Sequence, residues 1–89
     1  MIVTTTPSVE GKRITEYLGV VAANEPLAVN LGGKGLQRAW NNSFKTLQSE
    51  LISQASALGA DAIVGFKADT YKPDSSDTIY ATGTAVKFE

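Results

Sequence analysis

The sequence predicts a single α+β domain over residues 1–89, a β-α-β-β two-layer sandwich with one long helix on a mainly antiparallel three-stranded sheet. Three observations support this prediction. An apolar stripe at helical spacing runs through the middle of the chain, β-branched segments flank it on both sides, and the last two segments are joined by a short turn. A chain of 89 residues also fits one small domain with a modest core.

The first long strand is predicted over residues 13–29, where apolar side chains alternate. Strict alternation places Ile14, Leu18, Val20 and Ala22 on one face and Tyr17, Val21 and Ala23 on the other. We expect Pro26 to end or bend this strand. Residues 1–6 are rich in β-branched side chains and stop before Pro7, so they could add a short N-terminal strand at a sheet edge.

The helix is marked by a long apolar stripe. Its members, spaced by three or four residues, are Leu36, Trp40, Phe44, Leu47, Leu51, Ala55 and Leu58. We interpret these side chains as core residues rather than as a cofactor site. Gly59 follows the stripe directly, at the position where a residue of left-handed conformation commonly ends a helix.

The last two strands are predicted over residues 61–71 and 78–88, joined by a polar turn over residues 72–77 and paired as an antiparallel hairpin. In the earlier strand, alternation separates Ala62, Val64, Phe66 and Ala68 from Ile63, Gly65 and Tyr71. In the later strand, it separates Tyr80, Val86 and Phe88 from Ile79, Ala81, Gly83 and Ala85.

Small and apolar residues therefore occur on both faces of the predicted sheet. Because one helix covers only one face, we expect a neighbouring subunit to cover the other. The outer side of the helix is mostly polar and uncharged, which also suits contacts between subunits. Its residues are Gln37, Asn41, Asn42, Gln48, Ser49, Ser53 and Gln54. The alternative is a weakly apolar second face that stays exposed to solvent.

The composition excludes several classes of function. Eight basic residues stand against nine acidic ones without a basic stripe, so we expect no nucleic-acid partner. The chain has no cysteine and no histidine, which excludes thiolate nucleophiles, histidine-based catalysis and the usual zinc sites. The glutamates show no converging spacing, so we predict that the protein is not an enzyme and has no catalytic residues. A cytoplasmic protein without a membrane partner is expected, since no apolar run could span a bilayer and no signal peptide is evident.

Three stretches of the sequence resemble one known family. They are TTTPSVEGKRITEYLGVV (4–21), LGADAIVGF (58–66) and ATGTAVKFE (81–89), and they are similar, in this order, to the YbjQ-like proteins, often labelled as heavy-metal-binding. The connection over residues 22–30 is shorter than family members tend to have. The resemblance implies a dodecin-like fold with strand order 1-3-2, and a ring-shaped homo-oligomer that is a homo-pentamer or a decamer of two pentamers.

The metal label of the family fits this sequence poorly. Soft metals prefer thiolate or imidazole ligands, and Met1 supplies the only sulfur. Asp69, Asp74 and Asp77 lie in or near the hairpin turn and could form a weak cation site, but the turn lacks the ligand number and the glycine of a calcium loop. We interpret them as turn residues, assign no metal ligand and leave any cofactor unknown.

A glycine-rich segment just before the helix is the candidate ligand site. Free N–H groups at the helix start, together with two cationic side chains, could hold a carboxylate, phosphate or other oxyanion. The residues concerned are Gly32, Gly33, Lys34, Gly35 and Arg38. The segment matches neither the phosphate-loop pattern nor the dinucleotide-binding pattern. The alternative is that the glycines only permit a turn and that Lys34 stays solvated.

These observations lead to the hypothesis of a non-enzymatic, ring-forming protein that binds a small ligand, an anion or a metal ion at its subunit interfaces. The alternative is a structural or protein-interaction module without a small ligand. Storage of an aromatic cofactor, by analogy with dodecins, would need an exposed aromatic platform, whereas Trp40 is expected in the core.

Overall fold

The structure, a computed structural model, describes the backbone of residues 1–26, 34–71 and 78–89 and the side chains of residues 1–25, 41–70 and 78–89. Its elements are β1 (Ile2–Val3), β2 (Ile14–Pro26), α1 (Lys34–Ala57), β3 (Ala62–Tyr71) and β4 (Thr78–Phe88). The strands form one sheet in the order β1-β3-β4-β2, and α1 packs on one face of it. The predicted two-layer α+β fold is therefore confirmed.

The three long strands lie in the order expected for a 1-3-2 sheet, because β4 pairs antiparallel with both β2 and β3. The fourth, short strand is an addition at one edge: β1 pairs parallel with β3, with Val3 opposite Ile63. Backbone hydrogen bonds continue this pairing beyond β1, from Thr4 N–H to the Ile63 carbonyl and from Phe66 N–H to the Thr4 carbonyl. The sequence allowed such a strand but did not indicate its partner.

The apolar stripe of α1 fills the space between the helix and the sheet. Leu47, Leu51 and Ala55 are completely buried, and the ring of Phe44 meets the ring of Phe66 edge-on at a centroid distance of 5.7 Å. Leu58, predicted to belong to the stripe, is instead 46% exposed because the helix ends at Ala57. The side chains of the first two predicted members of the stripe lie outside the described residues.

Gly59 ends the helix as predicted. It has a φ of 79°, and its N–H donates to the carbonyl of Ser56 while the N–H of Ala60 donates to the carbonyl of Ala55. These two bonds satisfy carbonyls that the last turn of a helix otherwise leaves unpaired. A glycine adopts this left-handed backbone without strain, so its place in the sequence fixes the helix end.

Strict alternation predicted the faces of β4 correctly but failed in β2 and β3. A bulge between Val64 and Lys67 sets two residues of β3, Gly65 and Phe66, opposite Gly83 of β4. Gly65 has a φ of 62°, as is usual for a bulge that begins with glycine. The extra residue turns Phe66 and the following Ala68 to the helix side, instead of the side of Val64.

Two further bulges shift the faces of β2. Its register with β4 slips between Ile14 and Glu16 and again between Tyr17 and Gly19. As a result Leu18 packs in the core under the helix, whereas Tyr17 lies on the opposite face, each the reverse of its predicted position. Bulges are common in edge strands, and β2 is the outer strand of this sheet.

Candidate functional site

The sheet face opposite α1 is covered at one end by the chain itself. Ala62, Val64 and Val86 are buried there, in a cluster separate from the main core. Partly buried apolar side chains complete this cluster, namely Val9 from the segment before β2 together with Ile14 and Phe88. At this end the chain itself provides the cover, and the expected contact with a neighbouring subunit stays a prediction for the rest of the face.

The rest of that face is exposed. Tyr17 is 68% exposed, Val20 is 75% exposed and Tyr80 is 40% exposed, although all three belong to long strands. The register places them on the side opposite the helix, since Tyr17 lies across from the buried Val86. We call this surface the open face; it consists of Tyr17, Val20, Ala22, Tyr80, Thr82 and Thr84. All six side chains are uncharged, and the charged Lys67 and Asp69 lie beside them on the same face, across from Thr82 and Tyr80. The open face is therefore a candidate contact surface with an uncharged part on β2 and β4 and a charged border on β3.

A side chain of α1 reaches the outer edge of β2. The Gln54 amide oxygen accepts the backbone N–H of Ala22 at 3.1 Å, and the Gln54 amide nitrogen donates to the Ala22 carbonyl at 2.8 Å. The sequence-based prediction placed Gln54 on the outer, polar side of the helix. That placement is wrong, because the side chain bonds to the backbone of β2. A signal was present, because Gln54 directly precedes the core residue Ala55 and so flanks the buried stripe.

The predicted anion site is only partly described. Lys34 is the first residue of α1, and Gly35 and Arg38 lie within the next four positions of the helix. Gly32 and Gly33 lie outside the described residues, as do the side chains of Lys34 and Arg38. The first turn of α1 carries no acidic residue, so no side chain of that turn neutralises the positive end of the helix dipole. The anion site itself stays a prediction.

The hairpin turn gives no cation site within the described residues. Asp69 uses one carboxylate oxygen to accept the backbone N–H of its neighbour Thr70 at 2.8 Å. The other predicted members, Asp74 and Asp77, lie outside the described residues. Nowhere in residues 1–25, 41–70 and 78–89 do three carboxylates converge. With no cysteine or histidine in the chain, the donor set does not fit a soft metal ion.

The hydroxyl groups of the N-terminal segment are bonded to one another. The Thr6 hydroxyl donates to the Ser8 carbonyl, so in its 2.8 Å contact with the Thr4 hydroxyl it must be the acceptor. The hydroxyl protons of Thr4 and Thr6 are therefore both engaged in hydrogen bonds within this segment. These residues and Glu10 line an open cleft of about 500 Å³, but among the described residues no hydrogen bond joins Glu10 to either hydroxyl.

Within the described part of the chain, the helix α1 is not apolar enough over a sufficient length to cross a membrane.

Comparison with known proteins agrees with the fold and with the resemblance. The family model described as "C2 domain-containing protein 5, YbjQ-like domain" matches residues 1–89. A UPF0145 protein of Pseudomonas fluorescens is 36% identical, with 98% of each chain covered. A UPF0145 protein of Thermotoga petrophila is 34% identical and covers 100% of this chain and 98% of its own.

The first of these alignments runs over 104 positions, whereas this chain has 89 residues, so that relative carries at least 15 residues without a counterpart here. This agrees with a connection that is shorter than in other members. A crystal structure of a DUF74-family protein of unknown function from Pediococcus pentosaceus has the same fold, with a TM-score of 0.78 and 21% identity, covering 100% of this chain and 98% of that one. None of these names denotes an enzymatic activity. With a family model matched over its full length and relatives more than 30% identical, this chain belongs to the YbjQ-like family.

Proposed function

We propose that this chain is a non-enzymatic protein that assembles with copies of itself through the open face. The observation that supports the proposal is the exposure of Tyr17 and Val20 within the long strand β2, next to the apolar cluster of Ala62, Val64 and Val86. Burying an aliphatic or aromatic side chain contributes about 1.5–3 kcal/mol. Two such side chains in every subunit of a repeated contact give assembly a substantial driving force.

The resemblance to ring-forming relatives suggests a closed assembly of five or ten copies. A ring requires a contact between two different surfaces of the subunit, because each copy meets the next one head to tail. The outer side of α1 is a suitable second surface. Several of its exposed side chains are uncharged and lose their hydration at lower cost than charged ones would; they include Asn41, Asn42, Ser49 and Ser53.

Light scattering after size exclusion tests the assembly. The wild-type protein should have a mass several times the 9.4 kDa of one chain, and Val20→Asp should shift it towards that single-chain mass. Ser8→Asp is the matched control, because it adds the same charge at an exposed position away from the open face. A wild-type protein that remains at single-chain mass at micromolar concentration would refute the proposal.

The second part of the proposal is an anion at the start of α1, held by the backbone of Gly32 to Gly35 together with the side chains of Lys34 and Arg38. Its support is the glycine-rich sequence and the absence of acidic residues from the first helical turn. A carboxylate, a phosphate or another oxyanion would suit these donors. The protein is proposed to have no metal ligand, and its cytoplasmic location stays a prediction.

Thermal unfolding with a panel of phosphates, carboxylates and oxyanions tests the anion site. A ligand at a hundred times its Kd raises the free energy of unfolding by about 2.7 kcal/mol, which is readily measured as a higher Tm. Lys34→Ala should remove the increase, whereas Lys45→Ala, exposed further along the same helix, should retain it. If no anion raises the Tm, the alternative of a structural or interaction module without a small ligand is favoured.

A further inference from the structure

The Gln54 side chain occupies the place of a neighbouring strand at the edge of β2. A primary amide carries the same donor and acceptor as a peptide group, and here it bonds both the N–H and the C=O of Ala22. One residue of an adjacent strand would use the same two groups. The contact therefore does more than attach the helix to the sheet, because it removes a pairing position from the strand edge.

Ala22, the position bound by Gln54, lies at the centre of the only part of the β2 edge that has regular strand geometry. In an antiparallel pair, alternate residues direct their backbone groups away from the partner strand. Ala22 does so, since Gln54 binds it from outside, and the uninterrupted register with β4 gives Val20 and Asn24 the same orientation. Pro26, two residues further on, has no N–H to offer. Towards the start of β2, two bulges interrupt the edge.

The opposite edge of the sheet is closed in a related way. β1 covers only the beginning of β3, which leaves its second half as an open edge. There the Asp69 carboxylate accepts the backbone N–H of Thr70, and its charge opposes pairing with another chain. Two independent side chains thus satisfy backbone groups at the two open edges of the sheet.

We infer that Gln54 is an autoinhibitory contact that prevents the β2 edge from pairing with the β2 edge of a second copy of this chain. Copies then meet through side chains of the open face and not by pairing of one β2 edge with another. The second statement rests on the proposed assembly, whereas the edge closure holds for a single chain. Exposed edges of identical strands pair readily, and Val20, 75% exposed beside the closed position, would promote such pairing.

Gln54→Ala tests the inference, with Gln48→Ala as the matched control. Gln48 lies on the other flank of α1, in the cleft beside β1. In Gln54→Ala, the Ala22 amide should exchange its hydrogen about tenfold faster than in the wild type, as expected when one hydrogen bond is lost. The same variant should form larger species than the wild type as concentration rises, measured by light scattering and by thioflavin fluorescence.

Gln54→Glu separates closure of the edge from simple loss of packing. Its carboxylate leaves a charge at the edge, so this variant should keep the wild-type mass distribution even though its bond to the Ala22 carbonyl is lost. Circular dichroism confirms that each variant is folded before comparison. An unchanged Ala22 exchange rate in Gln54→Ala overturns the inference. So does faster exchange with an unchanged mass distribution, because the amide would then bond the edge without protecting it.

If the wild-type protein proves to be a single chain, the proposed assembly fails, but the comparison of Gln54→Ala with Gln48→Ala remains decisive for the edge. Suppose instead that the wild type assembles and that Val20→Asp disrupts the assembly. A Gln54→Ala variant with the Ala22 exchange rate or the mass distribution of the wild type would then overturn only the edge closure and leave the assembly proposal intact. The two ideas are therefore tested separately.

Discussion

Replacing Gly83 with alanine should destabilise the fold through a single steric contact. Gly83 lies in β4, the central strand, opposite the bulge in β3. A Cβ at this position would lie 2.5 Å from the Ile63 Cγ2 atom and 3.5 Å from the Val64 carbonyl oxygen. Ile63 is completely buried, so its methyl group cannot move into solvent. Gly83 does not have a positive φ, and alanine there adds no backbone strain.

The magnitude follows from two opposing effects. Forcing an extra methyl group into a packed core costs about 1–3 kcal/mol. Alanine restricts the unfolded chain more than glycine does, which offsets about 0.4–1 kcal/mol of that. We therefore expect Gly83→Ala to lower the free energy of unfolding by about 1–2 kcal/mol. For a domain of this size, the Tm should fall by about 4–15 °C.

Urea unfolding measures this change, and an unchanged m-value would show that the native and unfolded states expose the same surface as before. A double-mutant cycle with Ile63→Ala assigns the cause, because that substitution removes the Cγ2 methyl group. Gly83→Ala should then cost about 1 kcal/mol less in the Ile63→Ala background than in the wild type. Equal costs in both backgrounds, or a Gly83→Ala variant as stable as the wild type, would refute the reasoning.

Two further substitutions test the core and the helix end. Leu51→Ala should lower the free energy of unfolding by about 2–5 kcal/mol, because Leu51 is completely buried under the sheet; a loss below about 1 kcal/mol in urea unfolding would contradict its place in the core. Gly59→Ala should cost about 1–2 kcal/mol through its φ of 79° alone, since the new methyl group would touch only the Lys87 side chain at 3.5 Å. Gly59→Asn should recover part of that loss by the same measurement, and equal stabilities for the two variants would argue against backbone strain as the cause.

Periodic features of the sequence predicted the fold well. The apolar stripe of α1 and the helix end at Gly59 follow from local rules, and the structure contains the stripe from Phe44 to Ala55 as well as the predicted end. The two last strands pair antiparallel as the short turn between them indicated. These features depend on residues that are close in sequence, so no knowledge of the tertiary structure was needed to find them.

The faces of the strands were harder to predict because a bulge changes the alternation without an obvious signal. Gly65 lies at the bulge in β3, and Gly19, with a φ of 142°, lies at the second bulge in β2, but a glycine inside a strand does not show which of its neighbours is the extra residue. The edge contact of Gln54 was missed for a similar reason. It joins residues 32 positions apart, and such a contact depends on how the helix lies over the sheet.

The bulge at Gly65 also determines where the charges of β3 lie. Beyond it, Lys67 and Asp69 lie across from Thr82 and Tyr80, on the side away from α1. Without the bulge, simple alternation through Gly65 and Phe66 would direct both charged side chains towards the helix. The strand could then keep its pairing only by burying two charges, or keep its charges in water only by losing its pairing. A substitution at Gly65 that abolishes the bulge while keeping every residue of the strand should therefore be far less tolerated in evolution than a change in the length of the connection before α1.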